Sequence, residues 1–546
     1  MGSHELSDFT TTKRVVPISA LAIVIGVFAA YVAAALLKLI AFFTNLFFFQ
    51  RLDTTLVTPA GHHLGVWVIL VPIAGALVVG LMARFGSEKI RGHGIPEAIE
   101  AILMNGARVE PKVALLKPIS AAISIGSGGP FGAEGPIIMT GGAFGSLIAQ
   151  FFHLTSAERK TLLVAGASAG MSATFAAPVA SVILGVELLL FEWKPRSVIP
   201  VALASVTAGA LRTHILGLGP VFPVPPHVPA LGVLGILGCL VVGLLGGVAS
   251  ALLTEGVYAA EDAFGRLPIH WMWWPALGGI AIGVGGYIFP QALGVGYDVI
   301  GRLLQGDAPL RMLAGVLFVK SLIWAVSLGS GTSGGVLAPL LMVGGALGGV
   351  EAHFLPEAGA GFWALVSMGS VLGGTMRAPL TAVVFAMELT HDVNVLLPLL
   401  LAVSISYGFT VLLLNRSILT EKISRRGYHL SCEYAVDPLE IIFAKEVMQP
   451  LNGHHVVGTD GIVAHPDEPL RVIVYRMAKT HRTELPVMDE GRLVGWLTLN
   501  DLLAARSRIL EAEQNRERVL GAGFLVSLGR GGARDRSGKA ESGRTH

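Results

Sequence analysis

The sequence predicts a polytopic α-helical membrane protein whose apolar part consists of two related halves, with a small α/β domain after them. Three observations predict this. The 546 residues are 53% hydrophobic and only 14% charged, against about 25% charged in soluble domains, and mean hydropathy is +0.68. Apolar runs approaching the ~20 residues of a spanning helix recur at 15–50, 65–84, 112–125, 161–191, 198–217, 230–254, 270–290, 311–328, 359–372 and 393–414. Segments broken by glycine and proline in the first half recur at matching positions in the second.

In chain order, residues 1–14 read as a polar tail and 15–50 as a long, tilted helix. Residues 65–84 follow. Then comes Gly92-His93-Gly94-Ile95-Pro96-Glu97, whose proline sits in the first turn of a short amphipathic helix. Residues 112–125 lead into Gly126-Ser127-Gly128-Gly129-Pro130-Phe131-Gly132-Ala133-Glu134-Gly135-Pro136, with five glycines, two prolines and one carboxylate. Such a backbone at membrane depth is tolerated where it is buried in protein or lines a cavity, and an ionisable residue there points to function. The alternative is a turn between two spans, with Glu134 at the headgroups. Residues 137–152 and 161–191 follow, the latter broken at Ala176-Ala177-Pro178, and residues 198–290 hold three more spans.

Charge sets the expected orientation. Lys13 and Arg14 precede the first run, Arg84, Lys89 and Arg91 follow the second, and Arg416, Lys422, Arg425 and Arg426 follow the last. By the positive-inside rule these clusters, and both termini, are cytoplasmic. The first run is too long for the core of a cleavable signal. Cys239 and Cys432 supply no disulfide framework, and none is expected. The net charge of +2 favours no charged partner, and no nucleic-acid partner is expected.

The repeat has a register. A shift of 203 places Gly126, Ser127, Gly128, Gly132 and Pro136 on Gly329, Ser330, Gly331, Gly335 and Pro339. It also carries Lys117 to Lys320, Gly166 to Gly369 and Gly170 to Gly373. With a slip of two, Ala177-Pro178 and Glu187 meet Ala378-Pro379 and Glu388. Interrupted apolar segments at corresponding positions of two halves point to a transporter site at their interface. Hydropathy leaves open whether the halves are inverted.

The chemistry follows from three helix openings with proline in the first turn: Gly94-Ile95-Pro96, Glu134-Gly135-Pro136 and Leu337-Ala338-Pro339. Free N–H groups and the helix dipole make such an opening an anion site. Binding without a full buried charge is weak enough to permit conduction. Ionised, Glu134 can occupy that site itself; protonated or displaced, it leaves it open, so it can gate, carry a proton, or both. Leu337 stands at the repeat-equivalent position. Lys117 and Lys320 read as snorkelling, pairing with a carboxylate or attracting anions. Glu187 and Glu388 read as structural caps or pairing partners. No metalloprotease HExxH, paired-Asp motif or Ser/His set lies in the apolar core, so an enzyme is not expected.

After the membrane part, 431–445 reads as a linker, 446–511 as a small α/β domain and 512–546 as a disordered tail rich in Gly, Ser and Arg. His455-Val456-Val457, Leu485-Pro486-Val487-Met488 and Arg492–Leu497 read as strands, and Leu470–Lys479 and Asn500–Arg506 as helices.

Gly92-His93-Gly94-Ile95-Pro96, Gly132-Ala133-Glu134-Gly135-Pro136 and Gly334-Gly335-Val336-Leu337-Ala338-Pro339, in that order, resemble the patterns GSGIP, GREGP and GxFxP of the CLC family of chloride channels and chloride/proton exchangers. The resemblance covers about residues 15–430, with repeats at about 15–217 and 230–430. It implies a CLC-type inverted repeat of tilted and partial helices, a homodimer with one anion path per subunit, and a bacterial inner-membrane location. It implies Glu134 as gate, and His93, Gly94, Ile95, Gly135, Pro136, Val336, Leu337 and Leu419 around a chloride or other small anion, with protons as a second possible substrate. Departures are informative. His93 replaces the usual serine, Ala133 an arginine and Leu337 a phenylalanine. Leu419 falls where the family has its central tyrosine, and Leu188, beside Glu187, where exchangers carry an inner proton glutamate. A fluoride-exporting branch usually has methionine in the first motif. These departures favour a passive channel; an exchanger that uses Glu134 without the inner glutamate is the alternative. Residues 446–511 resemble a single CBS domain through Gly495-Trp496-Leu497-Thr498-Leu499-Asn500-Asp501, which implies Thr498 and Asp501 as contacts to an adenine nucleotide, or a role in assembly.

Overall fold

A computed structural model of the chain describes residues 11–103, 106–227, 232–427, 439, 442–450 and 462–507. The chain separates into two compact units at 432/433. In the membrane unit the first half consists of α1 (Val15–Phe49), α2 (Leu70–Phe85), α3 (Ile95–Leu103), α4 (Pro111–Gly126), α5 (Glu134–Gln150), α6 (Ser156–Phe175), α7 (Pro178–Leu184, extended by a π-helical turn at Gly185–Leu190) and α8 (Pro195–Ile215). The second half consists of α9 (Val233–Gly265), α10 (Trp274–Ile288), α11 (Tyr297–Leu304), α12 (Leu310–Ala314), α13 (Ser321–Gly329), α14 (Leu337–Glu351), α15 (Phe362–Met376), α16 (Pro379–Thr390) and α17 (Leu396–Leu413), and α18 (Thr420–Arg425) closes the unit. A π-helical turn at Gly315–Lys320 joins α12 to α13, so that together they answer α4.

The halves correspond helix by helix. The long α1 packs on α8 as α9 packs on α17, and α5 packs on α6 as α14 packs on α15. The helices Val15–Phe49, Gly65–Phe85, Pro195–Ile215, Val233–Gly265, Leu310–Gly329 and Leu396–Leu413 are long and apolar enough to cross a membrane. The 17 residues of α5 and the 15 of α14 rise only about 22–26 Å, short of a ~30 Å hydrocarbon core. One end of each therefore falls inside the layer.

Three sets of contacts reveal a local two-fold axis. Gly132 forms an antiparallel bridge with Gly335, its own repeat equivalent. The Glu187 carboxylate accepts from the N–H groups of Leu380 (3.2 Å) and Thr381 (2.9 Å), and the Glu388 carboxylate accepts from those of Val179 (3.0 Å) and Ala180 (2.8 Å). Each glutamate thus caps the first turn of the other half's helix, α16 or α7, where the proline-opened N-terminus leaves free donors. This reciprocal exchange is what a two-fold produces, and it gives both glutamates the structural role that their positions suggested. Lys117 and Lys320 differ from expectation. Neither snorkels and, among the described residues, neither bonds a carboxylate. Lys117 Nζ donates to the carbonyls of Ile90 and Gly92 (both 2.8 Å), and Lys320 Nζ donates to those of Ala292 (2.9 Å) and Gly294 (2.7 Å). Each ammonium satisfies two buried carbonyls of the loop that enters α3 or α11.

The second unit has a hairpin of β1 (Glu484–Asp489) and β2 (Arg492–Thr498), the helix Leu470–Thr480 and a helix over 499–507. Leu470, Ile473, Leu485, Val487, Leu497 and Leu502 form its core. The strands and helices expected at 470–506 are present. The expected strand at 455–457 lies outside the described residues, as do Cys432 and the tail at 512–546; Cys239 is a buried free thiol.

Candidate functional site

The site grows from the Gly132–Gly335 bridge. The two residues exchange hydrogen bonds, 3.1 Å from Gly132 N to Gly335 O and 2.8 Å from Gly335 N to Gly132 O. Antiparallel pairing sends the chain in opposite directions through the bridge. Two residues later it enters α5 on one side and α14 on the other, so both helix openings flank one gap. The gap exists because neither position has a side chain. A Cβ on Gly335 would lie 2.9 Å from Glu134 Oε2 and 2.9 Å from Gly135 N, and one on Gly132 would collide with the Glu134 carboxylate.

The Glu134 carboxylate fills this gap. It is fully buried, and neither oxygen makes a hydrogen bond of ordinary geometry among the described residues. The backbone dipoles acting on it are its own N–H and that of Ala338 in α14, and Lys320 is the cation whose charge reaches it. A buried carboxylate without full pairing is costly, and first-turn N–H groups offset part of that cost. The carboxylate therefore stands where a small anion would sit, against helix openings able to receive either one.

The third opening meets the same place. Gly94 adopts φ +89°, which turns the chain into α3. A Cβ there would lie 2.8 Å from Gly135 O and 3.2 Å from Lys117 Cε, so α3 begins directly against α5. The loop ahead of α14 joins it through Gly334 N to Gly92 O (3.4 Å) and Ser120 Oγ to Ser333 Oγ (3.2 Å). His93 is buried, and its ring Nδ1 has no partner among the described residues. Glu97 folds back onto Gly94 N (3.1 Å) and pairs with Lys422 (2.9 Å) and Arg426 (3.3 Å). Cations from α18 thus sit beside the opening of α3.

Gly94, Ile95, Gly135, Pro136, Val336 and Leu337 consequently lie in or beside three helix openings around Glu134, and all are buried. Leu419 is also buried. It precedes α18, which packs on α3, and the neighbouring Ile418 carbonyl accepts the Tyr258 hydroxyl at 2.6 Å. Leu188 is buried in the π-helical turn, beside the Glu187 that caps α16.

A fourth opening escapes a reading that looks for proline. Gly296, at φ +82°, precedes Tyr297 at the start of α11 as Gly94 precedes Ile95 at the start of α3. The signal was a repeat of Gly92 and Gly94 at Gly294 and Gly296, shifted by 202 rather than 203, with Asp298 in place of Pro96. In the second unit, Thr498 Oγ1 donates to Asp501 Oδ2 (2.7 Å), Thr498 N donates to the same oxygen (2.8 Å), and Gln449 Nε2 donates to Asp501 Oδ1 (2.8 Å). Asp501 therefore organises the turn into the helix over 499–507.

Fold and site define a class: a repeat-built membrane transport protein that offers opposed helix openings to a small anion. Comparison with known proteins names it. Residues 74–411 match the voltage-gated chloride channel family and residues 445–508 match the CBS domain, and the chain belongs to the voltage-gated chloride channel (CLC) family. Its activity is CLC-type anion transport, and it is not an enzyme. Similar relatives include a ClcB-like chloride channel protein of Ralstonia nicotianae, 32% identical over 62% of this chain and 81% of the relative. Another is the H(+)/Cl(-) exchange transporter ClcA of Citrobacter koseri, 29% identical over 70% of this chain and 82% of the relative. Among solved structures, a slow cyanobacterial Cl-/H+ antiporter shares the fold, with a TM-score of 0.66 at 23% identity over 75% of this chain and 97% of that one.

Proposed function

We propose that the protein is a glutamate-gated anion channel, with chloride as the reference substrate and Glu134 as the gate. The observation that supports this most is the Glu134 carboxylate standing in the gap between the openings of α5 and α14. In that position it excludes an anion. Protonation or displacement frees the gap, and an anion then meets the N–H groups around Gly135, Val336 and Leu337, with Gly94, Ile95 and Pro136 shaping the walls. His93 and Leu419 line the inner approach beside α3 and α18, where His93 replaces a hydroxyl with a ring nitrogen. The position expected to hold an inner proton glutamate is Leu188, and Glu187 is committed to capping α16. A transmembrane proton path through that position has no carboxylate to use.

A second reading, a chloride/proton exchanger with Glu134 as proton carrier, draws on the similarity to the exchange transporter of Citrobacter koseri. Reconstituted vesicles separate the two. A chloride gradient should drive chloride flux with no uphill proton movement; uphill pumping would replace the channel with the exchanger. The family resemblance further supports a homodimer in a bacterial inner membrane with cytoplasmic termini, which accessibility labelling and crosslinking in vesicles would test. For the CBS region we propose adenine-nucleotide contacts at Thr498 and Asp501. Nucleotide binding by the full chain should fall in Asp501→Ala, and binding equal to wild type would leave Asp501 as the cap of its helix alone.

A further inference from the structure

The gap described above has one neighbour without an assigned part. Tyr297 opens α11, and its hydroxyl is shielded from solvent with no hydrogen-bond partner among the described residues. Buried phenols ordinarily find a partner. The ring itself is fixed. It stands edge-on to Phe175 (centroids 6.4 Å apart, planes at 86°) and to Phe222 (5.9 Å, 61°). Phe222 is anchored by its N–H on Leu389 O at 3.0 Å. The backbone leading to Tyr297 is fixed as well, because Lys320 holds the carbonyls of Ala292 and Gly294. Gly296 lies against Met342 of α14, the helix whose opening forms one wall of the gap. A rigid element therefore presents an unsatisfied hydroxyl close to the gap.

The two-fold relation indicates the direction. Tyr297 is the counterpart of Ile95, whose helix opens against α5, and α11 approaches the same centre from the other half. The charged group that reaches the phenol is the Glu134 carboxylate. Lys320, which also feels Glu134, and Asp298 are the other charged groups of the loop. A phenol facing an anion donates. The positions that could otherwise supply a hydroxyl, 337 and 419, are leucines, and His93 belongs to the opposite half.

We propose that the Tyr297 hydroxyl is a specificity-determining hydrogen-bond donor to whatever occupies the gap between α5 and α14: the Glu134 carboxylate when the gate is closed, the transported anion when it is open. This rests on the reading of Glu134 as gate. The donor stands in for the hydroxyl that position 419 lacks, from the other half of the molecule.

Tyr297→Phe removes the hydroxyl and keeps the ring between Phe175 and Phe222. Calorimetric chloride binding and vesicle efflux of several halides would be measured for the wild type, Tyr297→Phe, Glu134→Gln and the double variant. Chloride affinity should fall about tenfold from Glu134→Gln to the double variant, the share of one hydrogen bond to a charged group. The halide order should shift against the smallest, most strongly accepting anions. Equal affinity and an unchanged halide order would overturn the assignment. Difluorotyrosine at position 297, a stronger donor of the same shape, should tighten binding, and unchanged or weaker binding would also overturn it. The gate is judged separately. A Glu134→Gln protein with the wild-type pH response sinks the gate reading, whereas Tyr297 is decided by the paired affinities with and without its hydroxyl.

Discussion

The first and second halves of the membrane unit share a scaffold and divide the chemistry. Both have a lysine that clamps two loop carbonyls, Lys117 and Lys320, and both send a glutamate across the axis to cap the other half's helix, Glu187 and Glu388. At the helix openings the resemblance stops. Glu134 faces Leu337, His93 answers to Val295, Ile95 to Tyr297, and Glu97, with its two cations, to Val299. The difference separates two kinds of demand. Buried carbonyls and helix N-termini need partners wherever the backbone is interrupted, and the interruption occurs twice. A path that leads from one side of a membrane to the other has two unlike ends, so its titratable and hydrogen-bonding groups need not repeat.

That comparison can be broken at its scaffold first. Lys117→Met and Lys320→Met each strand two buried carbonyls, at a cost of about 3 kcal/mol apiece, and the two costs should agree within about 1 kcal/mol. Denaturant unfolding in detergent measures both, and a loss in one half alone would end the claim of equal duty. The chemical asymmetry comes next. Glu134→Gln should abolish pH-dependent gating, a change of about tenfold or more in the flux ratio between acid and neutral pH, while anions still pass. In that background Leu337→Glu should restore a pH-sensitive block of about the same size. If Leu337→Glu does nothing, the two openings are not interchangeable even as backbone. A smaller effect is expected from Glu187→Gln and Glu388→Gln: about 1 kcal/mol each, the share of a charged cap at a helix opening. Neither should alter flux beyond what lost folded protein explains. A selective change in proton movement in Glu187→Gln would return that residue to the transport path. The smallest is His93→Ser, which should shift the pH response from the α3 side or the anion order by about twofold to threefold. Identical curves would make His93 a packing residue.

Particular residues show how far the sequence could be read. The repeat was visible because glycines and prolines mark interruptions that the backbone itself requires, so Gly132 and Pro136 kept register with Gly335 and Pro339. The three proline-marked openings were visible for the same reason. The α11 opening lacks the proline and slips by one residue, so Tyr297 looked like any aromatic in an apolar stretch. The lysines were legible as unusual but not as clamps, because a carbonyl acceptor leaves no trace in residue type.

What the sequence by itself determined is therefore the membrane class, the repeat, the interrupted segments and the lone carboxylate in one of them. These follow from composition and from local backbone chemistry, which each short stretch expresses alone. Only the tertiary structure decided that Gly132 pairs with Gly335, that Glu187 and Glu388 exchange caps, and that Glu134 stands between two helix openings with Tyr297 nearby. Each joins groups about 200 residues apart across a two-fold axis. Such contacts depend on the direction in which whole helices pack, and no local pattern encodes that direction.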